Sequence, residues 1–328
     1  MENSRDDVRR VADGPTPAPW IVAIVGPTAT GKTALALDLA ATLGGEIISC
    51  DSTAVYRGID IGTDKPPVEE RRGILHHLID VADPDETYSA ARYAADAAGA
   101  IQGISARGHL PILVGGTGFY YRALVRGLFP GPARDAGLRE RLDRVALRRG
   151  VERLHRWVQR VDPESARRIQ PRDRKRLVRA LEVYLLTRRP LTDHFSGTQS
   201  PIAGVHVLPI GLTLPREVLR RRITRRVEAQ FAGGVVAEVE TLVARGLPVT
   251  AHAFSGLVYR QIVEMLRGVR DETATRDLIV RENMRYARRQ LIWFRKEPNV
   301  VWLEGPGESP QVRSQAVELA RNFGFSKQ

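Results

Sequence analysis

Eight residues near the start of the chain carry the strongest chemical signal. Gly26-Pro27-Thr28-Ala29-Thr30-Gly31-Lys32-Thr33 matches G-x-x-x-x-G-K-[ST], the spacing at which backbone N–H groups wrap round phosphate oxygens. Glycines permit the close backbone approach, and the helix that follows offers the positive end of its dipole. Lys32 supplies a cation, and Thr33 is placed to ligate a Mg2+ ion bridging two phosphates. ATP, GTP and an organic diphosphate present the same oxygens, so the loop defines a phosphate site without choosing its ligand. Nucleotide hydrolases with this loop usually close another strand with a metal-binding Asp. Here the run Leu110–Val114 ends in Gly115-Gly116-Thr117-Gly118, with no carboxylate. The nearest strand-end carboxylate is Asp51, which suits either magnesium or a base acting on an acceptor. His76 and His77 have no third ligand at metal spacing and read as packing or hydrogen-bonding residues.

These residues need a frame. Trp20–Val25 is a short apolar, β-rich run, followed by the Gly-rich turn and then a helical stretch that Gly44–Gly45 stops. Glu46–Cys50 reads as a second strand, Tyr88–Gly103 as an Ala-rich helix and Leu110–Val114 as a third strand. This alternation predicts an α/β fold with a doubly wound parallel sheet. Ligands in such folds sit at the carboxyl ends of strands, so Gly26, Asp51 and Gly115–Gly118 should converge on one cleft. From Pro132 to Gly197 the pattern changes to Arg-rich amphipathic helices punctuated by DPES (162–165) and QPRD (170–173). Val205–Thr213 reads as a return strand. Residues 215–296 are mostly helical, with breaks at Gly233–Gly234, Gly246–Pro248 and Gly268. The expected division is a tail at 1–19, a P-loop-like core at 20–132 and 198–328, and a basic helical insertion at 133–197. The tail, charged and then Pro-rich, reads as disordered.

Net charge is +12 over 328 residues, and its distribution is uneven. Residues 1–133 carry −4, residues 134–189 carry +10 and residues 190–328 carry +6. The excess is almost all arginine, which suits phosphate contacts and base stacking; solvated helix faces are the other explanation. One cysteine, Cys50, excludes an internal disulfide framework and a cysteine-rich zinc site, and points to a reducing cytoplasm. No run of eighteen apolar residues occurs, so no membrane-spanning helix is expected.

Taken in order, the segments resemble the tRNA dimethylallyltransferases, also called tRNA isopentenyltransferases, of bacterial type. The shared landmarks are GPTATGKT (26–33), CDSTAVYRGIDIGTDKP (50–66), HHLID (76–80), YSAARY (88–93), LVGGTGFYYRAL (113–124), RKRLVRALEVY (174–184), VYRQ (258–261) and RYARRQLIWFRK (285–296). The resemblance implies transfer of a dimethylallyl group from dimethylallyl diphosphate to N6 of adenosine-37 in tRNA, by a monomer. It implies that Asp51 is the general base, that Thr117 hydrogen-bonds at the reacting amine and diphosphate, and that Lys32 and an arginine steady the departing diphosphate. Arg226 matches that arginine best, with Arg222 one turn earlier. For the tRNA anticodon stem-loop it implies contacts from Asp51, Ser52, Thr53, Ala54, Thr117, Arg139, Lys175, Arg176, Leu177, Val178 and Arg179. It adds Tyr259, Arg260 and Gln261 from 255–261, and Arg288, Arg289, Gln290 and Arg295 from 288–295. These fall mostly in the two basic segments. Tyr56, Tyr120 and Trp293 are open to base stacking or to core packing.

The chain departs from the family pattern at Leu75, Arg172, Val258, Met284 and Ile292, where Pro, Asn, Gly, Thr and Thr are usual. None of these is the base, the loop or Thr117. An adenylate isopentenyltransferase has no need of the basic insertion. A P-loop metabolite kinase and a non-enzymatic RNA-binding protein are the remaining alternatives.

Overall fold

The computed structural model describes residues 19–324, so nearly all of the expected N-terminal tail lies outside the described residues. In chain order the elements begin with β1 (Trp20–Val25), α1 (Lys32–Leu43), β2 (Gly45–Ser49), β3 (His76–His77), α2 (Ala90–Ala106), β4 (Leu110–Gly115) and α3 (Gly118–Val125). They continue with α4 (Ala136–Arg149), α5 (Val151–Val161), α6 (Pro163–Arg168), α7 (Arg174–Thr187), β5 (His206–Thr213), α8 (Arg216–Ala232) and α9 (Val235–Ala244). The last are α10 (Tyr259–Leu266), α11 (Glu272–Phe294), β6 (Val301–Glu304) and α12 (Pro310–Asn322). The described chain divides into two compact units, residues 19–89, 96–120 and 204–324 on one hand, and 90–95 and 121–203 on the other.

The first unit is built on a six-stranded sheet ordered β3-β2-β4-β1-β5-β6, parallel at every pairing. Parallel strands covered on both faces need apolar residues at every position. β1 meets this demand, with five of its six residues buried. Val22, Ile24, Ile47, Ile112 and Ile210 pack against Leu35, Leu39 and Leu43 of α1 and against Val312 and Ala316 of α12. Register aligns the carboxyl ends: Val25 pairs with Gly115 and Gly211, and Ser49 with Val114. The loops after β1, β2 and β4 therefore emerge side by side, as the sequence predicts. Two short strands, β3 and β6, and helix α12 are additions to the sequence reading.

In the second unit, α4 to α7 enclose Leu138, Leu142, Leu154, Val158, Leu177 and Leu181. The Asp-rich breaks in the sequence are helix caps. Asp135, Asp162 and Asp173 accept the amides of Leu138, Ser165 and Arg176, which satisfies donors that a helix start leaves free.

Candidate active site

The phosphate loop leaves β1 at Gly26 and enters α1 at Lys32. Its backbone turns through positive φ at Ala29 (+61°) and Gly31 (+88°). Thr30 Oγ1 and Lys32 Nζ both donate to the Pro27 carbonyl, at 2.9 and 2.6 Å. Burial, and then the charge of Arg226, lower the Lys32 pKa to about 7. Thr33 is exposed in the first turn of α1.

Three elements hold this loop from outside. Arg226 of α8 donates to Thr28 Oγ1 at 2.8 Å and pairs with Asp64 at 2.7 Å, which puts its guanidinium at the loop as expected. Arg222, one turn earlier, is engaged differently. It donates Nε to the Ala29 carbonyl at 2.7 Å and pairs with Glu308, so it braces the loop in addition to lying beside it. Gly307 donates its amide to the Thr30 carbonyl at 2.9 Å, and a Cβ on Gly31 would collide with Gly307 and Glu308. This last contact explains why Gly31 cannot carry a side chain. Gln290 of α11 accepts the Thr28 amide and donates to the Gly116 carbonyl.

Asp51 and Thr117 sit on the two neighbouring loops, and hydrogen bonds knit them together. Thr117 N–H donates to the Cys50 carbonyl at 3.1 Å, and Ser52 N–H donates to Thr117 Oγ1 at 3.1 Å. Asp51 Oδ1 accepts the Thr53 amide (2.8 Å) and hydroxyl (2.6 Å), an Asx turn that orients the carboxylate and leaves Oδ2 without a donor among the described residues. The glycines around Thr117 are needed for close approach. A Cβ would strike the Cys50 backbone at Gly115, Gln290 at Gly116 and the Trp293 ring at Gly118. Tyr286 was not singled out from the sequence. Its phenol faces Thr117 and Asp51, and burial pushes its pKa up.

The long landmark after Asp51 proves to be scaffolding for this face. Lys65 is enclosed by Asp60 (2.7 Å), Asp80 (2.6 Å) and the Tyr56 carbonyl. Glu238 of α9 accepts the amides of Asp60, Ile61 and Gly62 and the Tyr259 hydroxyl. Asp64 carried a signal in its motif. Glu238 carried none.

Several expected RNA contacts are corrected by burial. Leu177 and Val178 lie in the core of the second unit. Tyr259 and Gln261 are fully buried and serve Glu238, Glu282 and the Val258 amide. Gln290 is buried between two loops, and Ala54 is buried behind Asp51. Arg139 and Arg179 both bind Glu182, a carboxylate with no exposure. Burial raises the pKa of Glu182, but the two guanidiniums overcome this and hold it at about 2. Lys175, Arg176, Arg260, Arg288, Arg289 and Arg295 are exposed, as RNA contacts require. Tyr56 and Tyr120 are core residues, donating to or meeting His252 and the Tyr88 carbonyl, while Trp293 packs on Gly118.

A groove of about 640 Å3 opens between α8 and α11 and reaches Pro27 of the phosphate loop. Arg216, Arg220, Arg281, Arg285, Arg288 and Arg295 border it, none with a carboxylate partner among the described residues. His77 and His109 each lie 2.7 Å from Glu46, which Arg107 first and the histidines next hold down at about 2. Among the described residues no cluster of His, Cys, Asp and Glu would hold a metal by itself. Thr33, exposed beside the loop, offers one hydroxyl to a divalent cation, which would have to take its remaining oxygens from a ligand and water.

A parallel α/β sheet with a phosphate loop, and with a carboxylate and a threonine on the adjoining strand ends, defines a phosphate-ester enzyme of the P-loop type. The chain belongs to the IPP transferase family, whose model matches residues 54–297; the isopentenyl transferase model matches residues 19–86. It is 45% identical over 306 residues to the tRNA dimethylallyltransferase of Solibacter usitatus, covering 92% of this chain and 98% of that one. Identity to the same-named protein of Thermomicrobium roseum is 48% over 305 residues, 92% of each chain. Among solved structures, the tRNA isopentenylpyrophosphate transferase of Bacillus halodurans superimposes with a TM-score of 0.69 at 37% identity, covering 93% of this chain and 96% of the other. A eukaryotic dimethylallyltransferase shares the fold at 24% identity, with a TM-score of 0.76 over 94% of this chain and 81% of the other.

Proposed function

We propose that this protein transfers a dimethylallyl group from dimethylallyl diphosphate to N6 of adenosine-37 in tRNAs that read codons beginning with U. The observation that carries the reading is the joining of Asp51 and Thr117 next to the phosphate loop, in a chain of the IPP transferase family. An exocyclic amine conjugated with its ring is a poor nucleophile, and Asp51 Oδ2 is available to take its proton. As the N6–carbon bond forms, the allylic carbon–oxygen bond breaks and diphosphate leaves with the electron pair. Lys32, the loop amides and Arg226 face the charge that develops on it. Mg2+ held by Thr33 and the diphosphate would add positive charge at the same oxygens. Thr117 is suited to hydrogen-bond at the junction of amine and diphosphate.

Adenosine-37 lies in a stacked loop, so it has to be turned out toward Asp51. The exposed Lys175, Arg176, Arg260, Arg288, Arg289 and Arg295 supply the phosphate contacts. We further assign a monomer in the cytoplasm. No helix among the described residues is long and apolar enough to cross a membrane.

The test is incubation with labelled dimethylallyl diphosphate and either unmodified tRNA carrying A36-A37-A38 or free AMP. Label should enter the tRNA. Label in AMP alone would make the protein an adenylate isopentenyltransferase, and ATP hydrolysis with no label in either acceptor would make it a kinase-type enzyme.

A further inference from the structure

We infer that Phe119 is the aromatic platform on which a base of the acceptor RNA stacks while the neighbouring adenine is presented to Asp51, an inference that rests on the transferase reading above. Phe119 is 51% exposed, an unusual state for a phenylalanine, and it stands two residues after Thr117 in the first turn of α3. Of the other aromatic side chains around this loop, Tyr286 turns its hydroxyl to Thr117 with the Arg289 guanidinium over its ring, and the rest are engaged elsewhere. Tyr56 is fully buried, Tyr120 is 5% exposed, and the Trp293 ring is pressed against Gly118.

The surroundings also favour a base over another protein. Ile292, next to Trp293 on α11, is 46% exposed, so each residue of the Gly118–Trp293 contact has an exposed apolar neighbour in sequence. On the same helix Arg288, Arg289 and Arg295 are exposed and have no carboxylate partner among the described residues. Arg289 also lies over the Tyr286 ring, and an exposed aromatic ring on a loop bordered by a helix of exposed arginines suits a single-stranded nucleic acid, since a base takes the ring and the phosphates take the guanidiniums. Turning one adenine out of an anticodon loop also unstacks its neighbour, and an aromatic face replaces the stacking lost.

The test uses the full chain and an anticodon stem-loop RNA with 2-aminopurine beside position 37. Wild type should quench or shift its fluorescence on binding. Phe119→Ala should lose that signal and raise KM for the RNA about tenfold, the usual cost of one base stack, with little change in kcat. Phe119→Trp or Phe119→Tyr should restore both, whereas Phe119→Leu, which keeps the apolar surface without the ring, should not. Unchanged fluorescence and RNA KM in Phe119→Ala would overturn the inference. So would full rescue by leucine, or a rise confined to the KM for dimethylallyl diphosphate, which would place Phe119 at the prenyl chain. Because fluorescence reports binding without turnover, a wild type that binds the RNA with this signal but transfers no label would sink the transferase reading alone.

Discussion

Gln290 accepts the Thr28 amide at 2.8 Å with its side-chain carbonyl and donates its Nε2 to the Gly116 carbonyl at 3.0 Å. One side chain of α11 thus sets the spacing between the phosphate loop and the loop that carries Thr117. The Gly116 carbonyl is buried and the Thr28 amide is half-buried, so truncation leaves the carbonyl unsatisfied and the amide without its side-chain anchor. Gln290→Ala is expected to cost about 2 kcal/mol in urea denaturation. It should also raise KM for dimethylallyl diphosphate, because the Thr28 end of the cradle loses its anchor. An unaltered KM would limit Gln290 to stability.

Asp51 is asymmetric: Oδ1 is tied into the turn and Oδ2 has no donor among the described residues. Asp51→Asn keeps an acceptor for Thr53 while removing the base. Prenyl transfer should fall on the order of 10²- to 10⁴-fold, with pyrophosphate binding retained in calorimetry. Turnover near the wild-type rate would remove Asp51 from the base role.

Lys32 begins partly deprotonated near neutral pH, its pKa lowered to about 7 by burial and by Arg226. A diphosphate favours the ammonium. Binding pyrophosphate at about pH 8 should therefore take up a proton, and binding at about pH 6 should take up almost none through this group. Calorimetry in buffers of different ionisation enthalpy measures that uptake, and Lys32→Ala should remove the difference. The sign for stability follows from the same shift. Between about pH 7 and the unfolded value of 10.5 the unfolded chain binds more protons, so Lys32 makes the free protein gain stability as pH rises through that window.

The fold was legible where the sequence had length and period. β1, β4 and β5 are apolar runs of six to eight residues, and the breaks at Gly233–Gly234 and Gly268 fall between helices as read. β3 has two residues and β6 has four, too few for a period to register. The placement of Asp51, Thr117 and Lys32 beside one another was legible because motif spacing marks strand ends. Burial was less so. Leu177, Val178, Tyr259 and Gln290 sit in segments that resemble RNA-facing stretches, but a helix shows only part of its circumference to a ligand, and these residues are on the inner side. Glu238 and Glu308 reach the site through tertiary contact alone.

Val258, where the family pattern has glycine, is buried and adopts φ +87° and ψ −63°, a conformation that suits glycine and strains a β-branched residue. The Gln261 side chain holds its amide at 2.8 Å. Truncating Val258 to alanine or to glycine removes similar packing, but only glycine relieves the backbone. Val258→Gly should therefore be more stable than Val258→Ala by about 1–2 kcal/mol in urea denaturation. At ordinary positions the order is reversed, with alanine ahead.

Two kinds of arginine are mixed in the second unit, and mutation should separate them. Arg139 and Arg179 neutralise Glu182, a carboxylate with no solvent exposure. The buried charge is that of Glu182, so Arg139→Gln, which leaves the carboxylate short of a partner, should destabilise the chain by about 3 kcal/mol, whereas Glu182→Ala leaves two partly exposed guanidiniums that water can reach and should cost less. Acid should have a related effect, since the folded pKa of Glu182 is about 2 against 4.5 for the free side chain. Its contribution is complete above pH 4.5 and drains away as pH falls toward 2. Lys175 and Arg176 are exposed, and among the described residues the one carboxylate Arg176 meets is Asp173 at 3.4 Å. Lys175→Gln and Arg176→Gln should leave the melting temperature almost unchanged. Each should weaken tRNA binding and lower the slope of log affinity against log salt by about one. A loss of tRNA affinity in Arg139→Gln with stability intact would instead make that arginine an RNA contact and Glu182 merely its holder.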